Sequence, residues 1–78
     1  MSDQINIKSP ELIEFRQGLG LKLAEIRRQR GKTIEDVAEA MEVKKSTVAS
    51  IEDGRWAFNI DMLYKFKQVL DFDLVFEI

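Results

Sequence analysis

The side chains able to do chemistry in this chain are its cations. Lys22, Arg27, Arg28, Arg30, Lys32, Lys44, Lys45 and Arg55 gather in the middle of the sequence, and a local cluster of this kind attracts phosphate whatever the total charge. From Arg16 to Arg55 nine basic residues face seven acidic ones, for +2, while residues 1–15 and 56–78 carry −2 each. The formal net charge of −2 thus conceals a basic centre. Histidine and cysteine are both absent, which removes the commonest general base, the strongest metal ligands, a thiolate nucleophile and any disulfide. The acid pairs Glu35-Asp36 and Glu52-Asp53 read as helix caps and solvated faces. Gly18-Leu19-Gly20 is too short for a phosphate loop and lies inside a helical stripe. The residues point away from an enzyme and call for no metal and no cofactor. Trp56 and Phe58 could stack on nucleic acid, but core packing between two helices suits them better.

The elements that must position these cations follow from period and punctuation. Ser9-Pro10-Glu11 is a helix opening, with serine as cap, proline at the first helical position and acid in the first turn. Leu12, Phe15, Leu19, Leu23 and Ile26 then repeat at three and four residues as far as Arg30-Gly31, so one long helix is expected, with a kink allowed at Gly18 or Gly20 and room at one of them for close packing against a neighbour. Thr33 caps a second helix from Ile34, answered by Asp36 as in a capping box. Val37, Ala38 and Met41 form its inner face, and Ala38 is small enough for another helix to cross nearby. The period breaks at Glu42-Val43 and resumes with Thr47, Val48 and Ile51, before Asp53-Gly54 supplies a stop. Asn59 caps a fourth helix, Ile60 to about Leu70, whose inner face is Leu63, Phe66, Val69 and Leu70.

The stretch Thr33-x-x-x-Val37-Ala38 followed by Val43-x-x-Ser46-Thr47-Val48-x-x-Ile51-Glu52-x-Gly54 resembles the helix-turn-helix family of phage repressors and Cro proteins, XRE-like, from about Leu19 to Leu70. The resemblance implies that the second helix of the pair enters the major groove of duplex DNA while the first crosses the backbone. It places Lys45, Ser46, Ala49 and Ser50 against base edges, and Lys44, Thr47 and Arg55 against phosphates. Lysine can donate to guanine O6 and N7, and serine can contact several bases. Arg27, Arg28 and Lys32 read as solvated. The chain departs from the family pattern in having Ile34 where glutamine usually contacts phosphate, Glu42 where glycine usually makes the turn, and Lys44 where serine often caps. Glu42 must then take a left-handed conformation, at about 1–2 kcal/mol.

Residues 71–78 change period. Phe72, Leu74, Phe76 and Ile78 alternate with Asp73, Val75 and Glu77, which is strand spacing. A lone strand leaves its backbone groups unpaired. Its neighbour is either a short strand at Ile5–Lys8, in an N-terminal arm of residues 1–8, or the equivalent strand of a second chain; the alternative is a segment that merely folds over its own helices. We expect a mostly α, lambda-repressor-like helix-turn-helix domain over residues 9–78, with four helices or five, and a C-terminal strand that joins a homodimer through Phe72, Leu74, Phe76 and Ile78. Small antitoxins of this type carry such a strand, so a protein toxin is an alternative partner, and a protein-interaction module on the same scaffold is another.

Size agrees with a partner. A domain of 78 residues buries only about 60% of its unfolded surface. The apolar share of 45% and charged share of 33% suit an ordinary soluble domain. No apolar run reaches the roughly 18 residues that span a bilayer, and no signal-peptide pattern is present, so a cytoplasmic location is expected.

Overall fold

The computed structural model describes residues 10–55 and 59–73, which form four helices: α1 (Pro10–Gln29), α2 (Ile34–Met41), α3 (Lys45–Glu52) and α4 (Ile60–Leu70). The expected cap Ser9, the short strand at Ile5–Lys8, the aromatics Trp56 and Phe58 and the residues Leu74, Phe76 and Ile78 lie outside the described residues. No strand occurs among the described ones. Asp71 closes α4 in a left-handed conformation with φ 56°, and Phe72 packs half-buried against the chain's own core. The first two residues of the expected C-terminal strand therefore belong to the end of a helix and to the protomer's interior.

Local chemistry explains the helix ends. The Thr33 hydroxyl accepts from the Asp36 N–H at 3.0 Å, and the Asp36 carboxylate accepts from the Thr33 N–H at 2.9 Å, which completes the capping box. Asn59 Oδ1 accepts from the Met62 N–H at 2.9 Å. Helices α1, α2 and α3 all finish alike. A left-handed residue donates to the carbonyl three back, and the next residue donates to the carbonyl five back: Gly31 and Lys32 onto Arg28 and Arg27, Glu42 and Val43 onto Glu39 and Ala38, Gly54 and Arg55 onto Ile51 and Ser50. Glycine serves twice. Glu42 serves once, at φ 60°, where a side chain is strained.

The core is Leu23 of α1, Val37, Ala38 and Met41 of α2, Val48 and Ile51 of α3, and Phe66 and Leu70 of α4. Ile34 packs against it partly buried, so the residue standing in place of the family's glutamine is held inward. Helix α1 runs unbroken through both glycines. Gly20 is where it meets α3: a Cβ there would lie 2.5 Å from the carbonyl oxygens of both Ile51 and Glu52, so only glycine permits the approach. All the buried residues of α1 lie at or after this point, namely Gly20, Leu23, Ala24 and Arg27. Phe15, expected on the inner face, is instead 66% exposed.

Two arginines at the end of α1 tie the helices together. Arg27, read from sequence as solvated, is buried. Its Nε donates to Glu52 Oε2 at 2.7 Å, its Nη2 to Oε1 at 3.1 Å and its Nη1 to the Lys32 carbonyl at 2.9 Å. Glu52 is correspondingly buried and is not part of a solvated acid pair. Arg30 caps the far end of α4, with Nε donating to the Leu70 carbonyl and Nη2 to the Asp71 carbonyl, both at 2.8 Å. These bonds fix α1 to the ends of α3 and α4.

Candidate nucleic-acid interface

Helix α3 divides cleanly along its length. Thr47, Val48, Ile51 and Glu52 are buried, while Lys45 and Ser46 are exposed and Ala49 and Ser50 are half-exposed. The spacing of each set, i, i+1, i+4 and i+5, is that of one helix face. All four residues assigned to base edges thus share the outward face. Of the three assigned to phosphate, Lys44 and Arg55 are exposed at the two ends of α3. Thr47 is only 9% exposed and sits with the buried set.

The start of α3 has no side-chain cap. Lys44 occupies the N-cap position in an extended conformation and makes no capping bond, so the first N–H groups of the helix remain available to an acceptor such as a phosphate oxygen. Arg28, Lys32 and Lys45 line one shallow depression between the end of α1 and this start. Arg28 and Lys32, read from sequence as solvated, are therefore neighbours of Lys45.

Acids intervene. Helix α2 contains no basic residue, and Glu35, Asp36, Glu39 and the following Glu42 are all exposed. Lys45 Nζ lies 3.8 Å from Glu35 Oε1, with both side chains well exposed. Arg55 Nη2 donates to Asp53 Oδ2 at 2.9 Å. Sequence reasoning missed both pairings: Glu35 lies ten positions before Lys45 with no spacing rule to link them, and Asp53, two residues from Arg55, was read only as part of a helix stop and a solvated acid pair. It also missed Arg27–Glu52, although a glutamate on the stripe of Thr47, Val48 and Ile51 was itself a sign that a buried partner was needed. Asp36 has its carboxyl held below the usual range, first by the Thr33 backbone N–H and then by the Thr33 hydroxyl.

Among the described residues no group of three acids is placed to hold a metal ion, and no helix is long and apolar enough to cross a membrane. No curated protein matches the sequence. The family model of a helix-turn-helix domain matches residues 18–75, which takes in α2, α3, α4 and the packed half of α1. The chain belongs to the helix-turn-helix domain family, whose fold is that of DNA-binding regulators.

Proposed function

We propose that this protein is a sequence-specific binder of duplex DNA that regulates transcription, as a repressor acting as a homodimer. The observation that carries this reading is the two-sided α3: Lys45, Ser46, Ala49 and Ser50 look outward from a helix whose other face is buried and pinned by Arg27. In this role Lys45 and Ser46 discriminate bases, with Ala49 and Ser50 beside them, and Lys44 and Arg55 contact phosphates that set affinity and its salt dependence. Two protomers, joined through Leu74, Phe76 and Ile78, would address half-sites about 34 Å apart. Selection from a random duplex pool tests the reading directly. Lys45→Ala should weaken binding to the recovered site by about 1–3 kcal/mol and relax its sequence preference. An unchanged preference would remove Lys45 from the base-reading set.

An apolar groove favours a second reading. Phe15 and Ile60, 66% and 78% exposed, flank it together with Leu12, Leu19 and Leu63. A protein could dock there, making the chain an antitoxin that grips both DNA and a toxin, or a protein-interaction module alone. A neighbouring gene whose product is toxic by itself and neutralised by co-expression would establish the first. Loss of every duplex shift at low salt would leave the second.

A further inference from the structure

Among the described residues the two most exposed large apolar side chains, Ile60 and Phe15, flank one groove between α1 and α4. Apolar surface gathered in this way calls for a cover. A second depression on the same two helices is lined by Lys22, Leu23 and Ile26 of α1 and by Phe72 and Asp73 beyond α4, and it shares Leu19 and Leu63 with the groove. The two therefore form one channel. The chain itself enters this channel where α4 ends: Asp71 turns it back at φ 56° and Phe72 packs onto the core. Asp73, the last described residue, stands beside Leu19 and Leu63, where the uncovered half of the channel begins.

We propose that residues 74–78 of the same protomer occupy this uncovered half, laying Leu74, Phe76 and Ile78 over Phe15 and Ile60. Reach permits it. Leu19 to Leu12 is about 10 Å of helix at roughly 1.5 Å per residue, and five extended residues cover about 16 Å. Facing agrees as well, since an extended chain repeats every two residues and Leu74, Phe76 and Ile78 share the side of the inward Phe72. The acids Asp73 and Glu77 then fall on the other side, toward the rim. Lys22 and Arg16 edge the channel on α1 in the matching order, and their long side chains can reach up to those acids. The seat does not depend on DNA binding. It takes up side chains and leaves a backbone edge of the segment exposed, so the homodimer proposed above would form by main-chain pairing along that edge. A foreign protein reaching Phe15 and Ile60 would first have to displace the segment.

The test is made on the full chain, with Phe15→Ser and Phe76→Ser singly and together. With nothing over it, an exposed side chain such as Phe15 can be replaced at a change in Tm of no more than about 2 °C. With the segment seated, each single variant should lower Tm by roughly 5–10 °C, and the double variant by little more than one of them, because both remove the same contact. An unchanged Tm for Phe15→Ser, or losses that add in full, overturns the seat. A second measurement decides whose segment it is. The chain has no cysteine, so Glu77→Cys carries a single nitroxide. The amide signals of Phe15 and Ile60 should broaden when nitroxide and isotope label share one chain. They should keep most of their intensity when nitroxide chains are mixed with isotope-labelled parent. Equal broadening in the mixture makes a second copy the occupant and overturns the seat within the protomer. No broadening in either sample leaves the groove to another protein and overturns it too. Duplex selection with the parent judges the DNA reading separately.

Discussion

The two faces of α3 are built by different rules. On the inner face Val48 and Ile51 answer to the core, Glu52 answers to the Arg27 guanidinium, and Thr47 is buried beside them. On the outer face nothing in the fold requires lysine at 45 or serine at 46 and 50. A helix needs only one apolar stripe to be held, so residues on the far side are free to be chosen for a ligand. The inner face fixes the direction in which the outer one looks.

The sharpest way to break this contrast is to unpin the inner face. Glu52→Ala leaves the Arg27 guanidinium buried without its counter-charge and should cost about 3–5 kcal/mol of folding stability, read from the urea midpoint. Replacing both partners with apolar residues of similar size, Arg27→Met with Glu52→Leu, should recover most of that loss. Lys45→Ala on the outer face should change stability by less than about 0.5 kcal/mol. A Glu52→Ala loss no larger than that of Lys45→Ala would mean that the inner face does not hold α3 through this pair.

How far these faces were legible in the sequence depends on how local each signal is. The Thr33–Asp36 box, the Asn59 cap, the left-handed Glu42 and the uncapped Lys44 all involve residues within a turn of one another, and each stands as read. The core positions Val37, Ala38, Met41, Val48 and Ile51 follow from period alone. Arg27–Glu52 spans 25 residues and exists because α1 crosses α3 at Gly20, which no period encodes. Phe15 shows a related limit: it keeps the period of the inner face of α1 and is nonetheless 66% exposed. Phe72 matched a strand alternation, yet the left-handed turn at Asp71 brings it back onto the core. The outer face of α3 was legible by resemblance, whereas its carboxylate partners were not.

The turn between α2 and α3 offers a change that touches neither face. Glu42 makes the same closure as Gly31 and Gly54 but carries a side chain at φ 60°. Glu42→Gly should relieve the strain, partly offset by the greater freedom of glycine in the unfolded chain, for a net gain of about 0.5–1 kcal/mol and a few degrees in Tm. The variant also removes a carboxylate from the acidic exposed side of α2. If stability falls instead, the Glu42 side chain contributes a contact that outweighs its backbone strain.

The smallest expected effect sits at the start of α2, which orients α3 only indirectly. The Asp36 carboxyl titrates below its ordinary value because it accepts from the Thr33 N–H and is bonded to the Thr33 hydroxyl end of the box. A carboxyl whose folded-state pKa is depressed contributes stability that is fully present above its unfolded value and is lost as pH falls through the folded one. The parent should therefore lose this contribution only on the acid limb, below the usual aspartate range. Thr33→Ala removes the hydroxyl half of the box, so its stability should fall slightly at neutral pH and decline less steeply in acid. Parallel acid limbs for the two proteins would show that the Thr33 hydroxyl has no part in the Asp36 titration, which the Thr33 N–H then sets alone.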